Sequence, residues 1–142
     1  MNRIEALQDC LGAEHAALFG YGALGGVLAG VPRGEPDLER ARSSYAAHSA
    51  LRDALTELIS TKGAQPTAAA PAYHLPFALA DGNSCRRLAR LLERRAASVF
   101  GLAVAATVEQ DRVLVATALM ECVLREVAWG GVAEPFPAIP EL

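Results

Sequence analysis

Ile4, Leu7, Leu11, Glu14, Leu18, Tyr21, Gly25 and Leu28 follow one another at steps of three and four residues. Such a seam predicts one long helix, from Asn2 to Ala29. A second seam, Leu38, Ala41, Tyr45, His48, Arg52, Leu55 and Ile59, predicts a helix from Pro36 to Lys62. Pro36 suits its first turn, Asp37 and Glu39 its electropositive end, and Gly63 its C-terminal cap. The third helix is expected from Asn83 to Thr107, capped by Asn83 or Ser84. Its core stripe is Leu88, Leu92, Val99 and Leu102, with Ala89, Glu93, Ala96, Phe100 and Ala103 beside it. The fourth is expected from Glu109 to Trp129, ending at Gly130-Gly131. Its inner side reads Leu114, Thr117, Glu121, Leu124 and Ala128, flanked by Val113, Met120 and Val127.

The breaks between these patterns set the topology. GVPRGEP turns the chain between the first two helices. Residues 64–82 contain three prolines and no helical period. An extended segment covers about 3.1 Å per residue, and a helix of some 25 residues is about 38 Å long. Residues 64–82 can therefore cross the full length of a bundle, leaving the second and third helices parallel. The expectation is an all-α four-helix bundle over residues 1–130, with a crossover at 64–82 and an extended Pro-rich tail at 131–142.

Composition narrows the function classes. A net charge of -3 argues against a nucleic-acid-binding protein. Cys10, Cys85 and Cys122 form no C-x-x-C pair, which fits a reduced, cytoplasmic setting, and Cys10, one turn before Glu14, is expected as a buried, inert thiol. MNRIEALQD carries acidic residues where a signal peptide needs an apolar run. Residues 16–31 lack charge and contain Gly22, Gly26 and Gly30 at fourfold spacing, so a membrane span has to be weighed. The stretch is shorter than the roughly 20 apolar residues a span requires and stops at Pro32, so no membrane partner is expected. GYGALG, residues 20–25, matches G-x-G-x-x-G literally. A dinucleotide site needs a preceding strand, and here the glycines lie within a helical pattern. They are better read as a kink or a close approach of a neighbouring helix. The Gly-rich first helix and the apolar excess point to a homodimer.

RRLARLLERR aligns Arg86, Arg90 and Arg94 on one face. That is either a phosphate-binding stripe or a face paired with Glu126 of an antiparallel neighbour, and the latter is preferred. His74, in the crossover, is expected at the surface.

Glu14, His48, Glu93 and Glu121 each lie near a helix midpoint, so a matched bundle brings them to one level. Buried carboxylates must be paired, protonated or metal-bound. This arrangement resembles the ferritin-like superfamily. AEHAALFGYGALG, YAAHSALRDAL, AAPAYHLPF and LLERRAASVFGL are similar to an uncharacterised bacterial family of ferritin-like proteins. The resemblance implies the fold and leaves the activity open. It further implies metal ligands at Glu14, Glu93, His48 of Tyr45-Ala-Ala-His48, and Glu121 of Glu121-Cys-Val-Leu124. Tyr45 and Leu124 depart from the Glu-x-x-His pattern, and the ligand set is incomplete. Two readings follow. The preferred one is a cofactor-free buried network of Glu14, Tyr45, His48, Arg52 and Glu93 in a non-catalytic bundle. The alternative is an iron or manganese oxidoreductase.

Overall fold

The computed structural model describes residues 1–133 and contains four helices: α1 (Arg3–Leu28), α2 (Glu35–Thr61), α3 (Gly82–Ala106) and α4 (Glu109–Ala128). Each boundary falls within one or two residues of the hydrophobic pattern's prediction. The expected tail lies, from Glu134 onward, outside the described residues. The caps explain the starts. Asn2 accepts from the Glu5 amide while Glu5 reaches back to the Asn2 amide. α3 begins one residue earlier than expected because Asp81, rather than Asn83 or Ser84, is the cap. Its carboxylate accepts from the Ser84 amide at 2.8 Å.

Contacts along the helices give their directions. Ala6, Leu7 and Cys10 share a cluster with Leu55 and Ile59 of α2 and with Phe100 and Ala103 of α3. Tyr21, Leu24 and Leu28 share a second cluster with Ala41 of α2 and Cys85, Leu88 and Ala89 of α3. Both α2 and α3 therefore run antiparallel to α1 and parallel to each other. The segment joining them climbs along α1. Gln8 donates to the Gln65 carbonyl and accepts from Thr67, Phe19 packs on Tyr73, and Phe77 and Leu79 reach the second cluster. The crossover inferred from its length is thus anchored at both ends of α1.

α1 is flanked by α2, α3 and this strap, while Phe19, Gly22 and Gly26 of its uncharged run stay exposed. No helix among the described residues is long and apolar enough to cross a membrane. The glycines divide sharply. A Cβ on Gly20 would lie 2.6 Å from Leu92 Cδ1, so α3 does approach there. One on Gly22, Gly25 or Gly26 would meet nothing within 4 Å. Close approach explains Gly20 alone.

α4 is rotated from its expected register. The pattern turned Leu114, Thr117, Glu121, Leu124 and Ala128 inward. Instead Val115, Ala118, Cys122 and Trp129 are buried, while Leu124 is 67% exposed. A one-residue offset on a helix is a rotation of about 100°. Small Ala118 and Cys122 let α4 settle on α3, and Arg94 fixes the choice by donating twice to Glu126 Oε1, at 2.9 and 2.6 Å. Arg90 donates to the Trp129 carbonyl and Arg86 to Asp37, so the arginine stripe is spent on internal partners. Leu102 of α3, expected in the core, faces solvent for the same kind of reason: Ala103 and Phe100 turn inward instead.

A glycine in a helix costs about 0.5–1 kcal/mol relative to alanine. Gly22→Ala and Gly25→Ala should each stabilise the fold by about that amount, raising the melting temperature by about 2–4 °C. Gly20→Ala should give no gain, because Leu92 must move. Calorimetry of the three variants tests this, and a gain from Gly20→Ala equal to the others would contradict it.

Candidate functional site

Glu14, His48 and Glu93 are fully buried and meet at mid-height. α1 supplies Glu14, α2 supplies His48 and α3 supplies Glu93, one residue from each of three helices. His48 lies between the carboxylates: Nδ1 is 2.7 Å from Glu14 Oε2 and Nε2 is 3.0 Å from Glu93 Oε1. Between two ionised carboxylates each ring nitrogen donates, which is the bonding of the cationic imidazole.

Two further groups converge on the same Glu93 oxygen. The Tyr21 hydroxyl donates at 2.6 Å and Arg125 Nε at 3.0 Å. Arg125 also reaches Cys122 Sγ at 3.4 Å. The cluster holds two carboxylates, one imidazolium and one guanidinium, and is neutral overall. Tyr21 packs beside the His48 ring and against Trp129, and the Arg40 guanidinium lies over the Trp129 ring, 5.2 Å from its centre. Glu14 Oε1 and Glu93 Oε2 are buried without a hydrogen-bond partner.

The environment sets the protonation states. Burial alone pulls the His48 imidazole down, but the hydrogen bonds and charges of Glu14 and Glu93 outweigh it and raise the pKa to about 9. For Glu93, burial pushes upward, yet His48, Arg125 and Tyr21 together hold its carboxyl below the usual range. Tyr21 is pushed up by burial and by the Glu93 charge beside it, so its phenol stays protonated. All three cysteines are buried free thiols. Burial and the Glu14 charge push Cys10 up to about 12, which leaves it unreactive near neutrality.

The structure brings together three of the residues singled out in the sequence and separates the others. Tyr45 is 43% exposed on the outside of α2, and Ser44 takes the inward position. Arg52 turns to Asp53 and Ser49 at the surface. Both were expected from an unbroken seam through α2, and the true inner line passes through Ala41, Ser44, His48 and Leu55. Glu121 is turned away by the rotation of α4. It lies at the surface, 3.9 Å from Arg125 Nη1. Tyr21 and Arg125 fill the roles expected of Tyr45 and Arg52. The signal for them was available: Tyr21 stands on the first seam, and Arg125 is the one cation in the C-terminal half of α4. His15 faces the crossover, at hydrogen-bond distance from the Thr67 carbonyl, and His74 is exposed.

This is an all-α four-helix protein built around a neutral, buried carboxylate–imidazolium–guanidinium cluster. Residues 6–141 match the family described as a domain of unknown function, DUF4439, and the chain belongs to that family. It is also similar to a solved structure, that of the conserved hypothetical protein rv2844 from Mycobacterium tuberculosis. The two share 29% identity over 90% of this chain and 94% of that one, with a TM-score of 0.81. No protein of curated function matches the chain.

His48 has a folded pKa near 9 against 6.5 for the free side chain. Its contribution to stability is complete below about pH 6.5 and is lost as pH rises through 9. Its magnitude is on the order of 3 kcal/mol. Thiols raised by burial add a loss of the same sign above about pH 8.5, so a variant must serve as the baseline. Urea unfolding at about pH 6 and about pH 9 should show wild type losing substantially more stability than His48→Gln. Equal losses in the two proteins would show that the imidazole is not held as a cation.

Proposed function

We propose that the protein is a non-catalytic ferritin-like bundle whose polar cluster holds α1, α2 and α3 in register and whose work is done by its surfaces, in binding or assembly. The antiparallel α1–α2 and α3–α4 pairs, joined by a long crossover, agree with the ferritin-like resemblance. The observation that carries the reading is the convergence of His48, Tyr21 and Arg125 on one oxygen of Glu93. These donors surround one oxygen of the carboxylate with protons and positive charge, which supports a structural ion network.

The same donor set does not fit the dinuclear metal centre that the resemblance implies. His48 would have to surrender a proton held between two carboxylates. α4 contributes a guanidinium where a ligand belongs, Glu121 lies outside, and Leu124 has no donor atom. A cation placed beside Glu93 would face Arg125 at close range. One observation favours the alternative of an iron- or manganese-binding oxidoreductase: the unpartnered Glu14 Oε1 and Glu93 Oε2. Two oxygens without a third ligand make a weak site.

The two readings separate on metal content. Untagged protein, prepared without chelator and then offered ferrous iron without oxygen, should carry no stoichiometric metal by plasma mass spectrometry. Glu93→Gln should cost about 3–5 kcal/mol of stability, because it leaves Glu14 as the one carboxylate of the cluster against both His48 and Arg125. Stoichiometric metal that disappears in Glu93→Gln would overturn the proposal and direct attention to oxidase activity.

A further inference from the structure

Among the described residues, the bundle has one open side. α1 packs on α2 and α3, and α3 packs on α4, but α2 and α4 barely meet. An ion pair of Lys62 and Asp111, at 3.0 Å, ties one end. Above it runs a groove of about 530 Å³, lined by Ala47, Ala50 and Leu51 of α2 and by Val113, Leu114 and Thr117 of α4. The α4 rim carries a second apolar seam. Val113, Thr117, Met120, Leu124 and Val127 follow at alternating steps of four and three residues, the spacing of a helix that expects another helix. Val113, Met120 and Leu124 are each more than half exposed.

We infer that the α2–α4 face is a homodimer interface, occupied by a second copy of this chain. The face is self-complementary in shape. Its α2 wall is built of Ala47, Ala50 and Leu51, and its α4 ridge of mostly larger, more exposed side chains. A twofold axis parallel to the helices sets the ridge of each protomer against the α2 wall of the other. The resulting pairs are antiparallel, like α1 with α2, and both open grooves close at once.

Charge agrees with this occupant. Among the described residues Glu121, 3.9 Å from Arg125 Nη1, is the only ionisable one lining the groove, so the face that two copies would share is otherwise uncharged. Area agrees as well. Two helices about 30 Å long and about 10 Å wide present a face of about 600 Å², approaching the roughly 800 Å² per partner of a stable complex. None of this depends on how the buried cluster is read.

Sedimentation equilibrium of the full chain tests the inference. Wild type should be a dimer at micromolar concentration. The double variant Met120→Glu, Leu124→Glu should weaken the dimer at least about 100-fold. Ala50→Glu, on the opposite wall, should weaken it independently, and all variants should keep the wild-type helical circular dichroism because every site is exposed. His48→Gln, a buried change away from this face, should still dimerise wherever it keeps the wild-type helical circular dichroism. A monomeric wild type, or a dimer indifferent to charges on both walls, would overturn the assignment.

Discussion

Two carboxylates buried at one height of a helical bundle need positive charge beside them, and the rest of this molecule is arranged around that need. Solvation lost by Glu14 and Glu93 is replaced by a single imidazolium that touches both. α2 and α3 hardly contact each other directly, so His48 is the main link between them across α1. Arg125 brings α4 into the same arrangement through Glu93. One side chain from each helix, with Tyr21 in addition, sets the vertical register of all four.

Buried ion clusters are an uncertain source of net stability, because desolvation offsets much of the attraction. Their surer effect is to penalise wrong arrangements. Sliding α1 by one turn against α2 would leave His48 without Glu14 and bury an unmatched charge. An Ala-, Leu- and Val-rich bundle with few aromatic residues has many nearly equivalent packings, and a polar cluster discriminates among them. Tyr21 and Trp129 add the largest packed surfaces at one end of it, and Asp111 with Arg3 and Lys62 pins the other end of the bundle.

The helices and the crossover were legible because Pro, Gly and capping residues punctuate the chain and the apolar steps between them are long and regular. Glu14, His48 and Glu93 were legible because a charged residue on an apolar seam has few explanations. The remainder depended on rotation about helix axes. Tyr45 and Arg52 sit on a seam that is plausible in α2, yet the packed face lies one residue away, at Ser44. α4 carries two apolar stripes, and periodicity alone does not say which one meets α3. The Arg94–Glu126 pair decides it, and that is a contact between helices rather than a property of either. Tyr21 and Arg125 carried a signal in the sequence, but their convergence with His48 on one oxygen of Glu93 is visible only in three dimensions.

The crossover has a consequence for how the chain acquires this shape. α1 with α2, and α3 with α4, are hairpins closed by short links, so their contacts are local and cost little loop entropy. Joining the two hairpins requires residues 62–81 to be drawn out along α1, and the Gln8, Phe19 and Leu24 contacts form only then. The contact order of the protein is concentrated in that one docking event. His48 can meet Glu14 inside the first hairpin, but Glu93 arrives from the second. The cluster is therefore complete only where the two hairpins are joined.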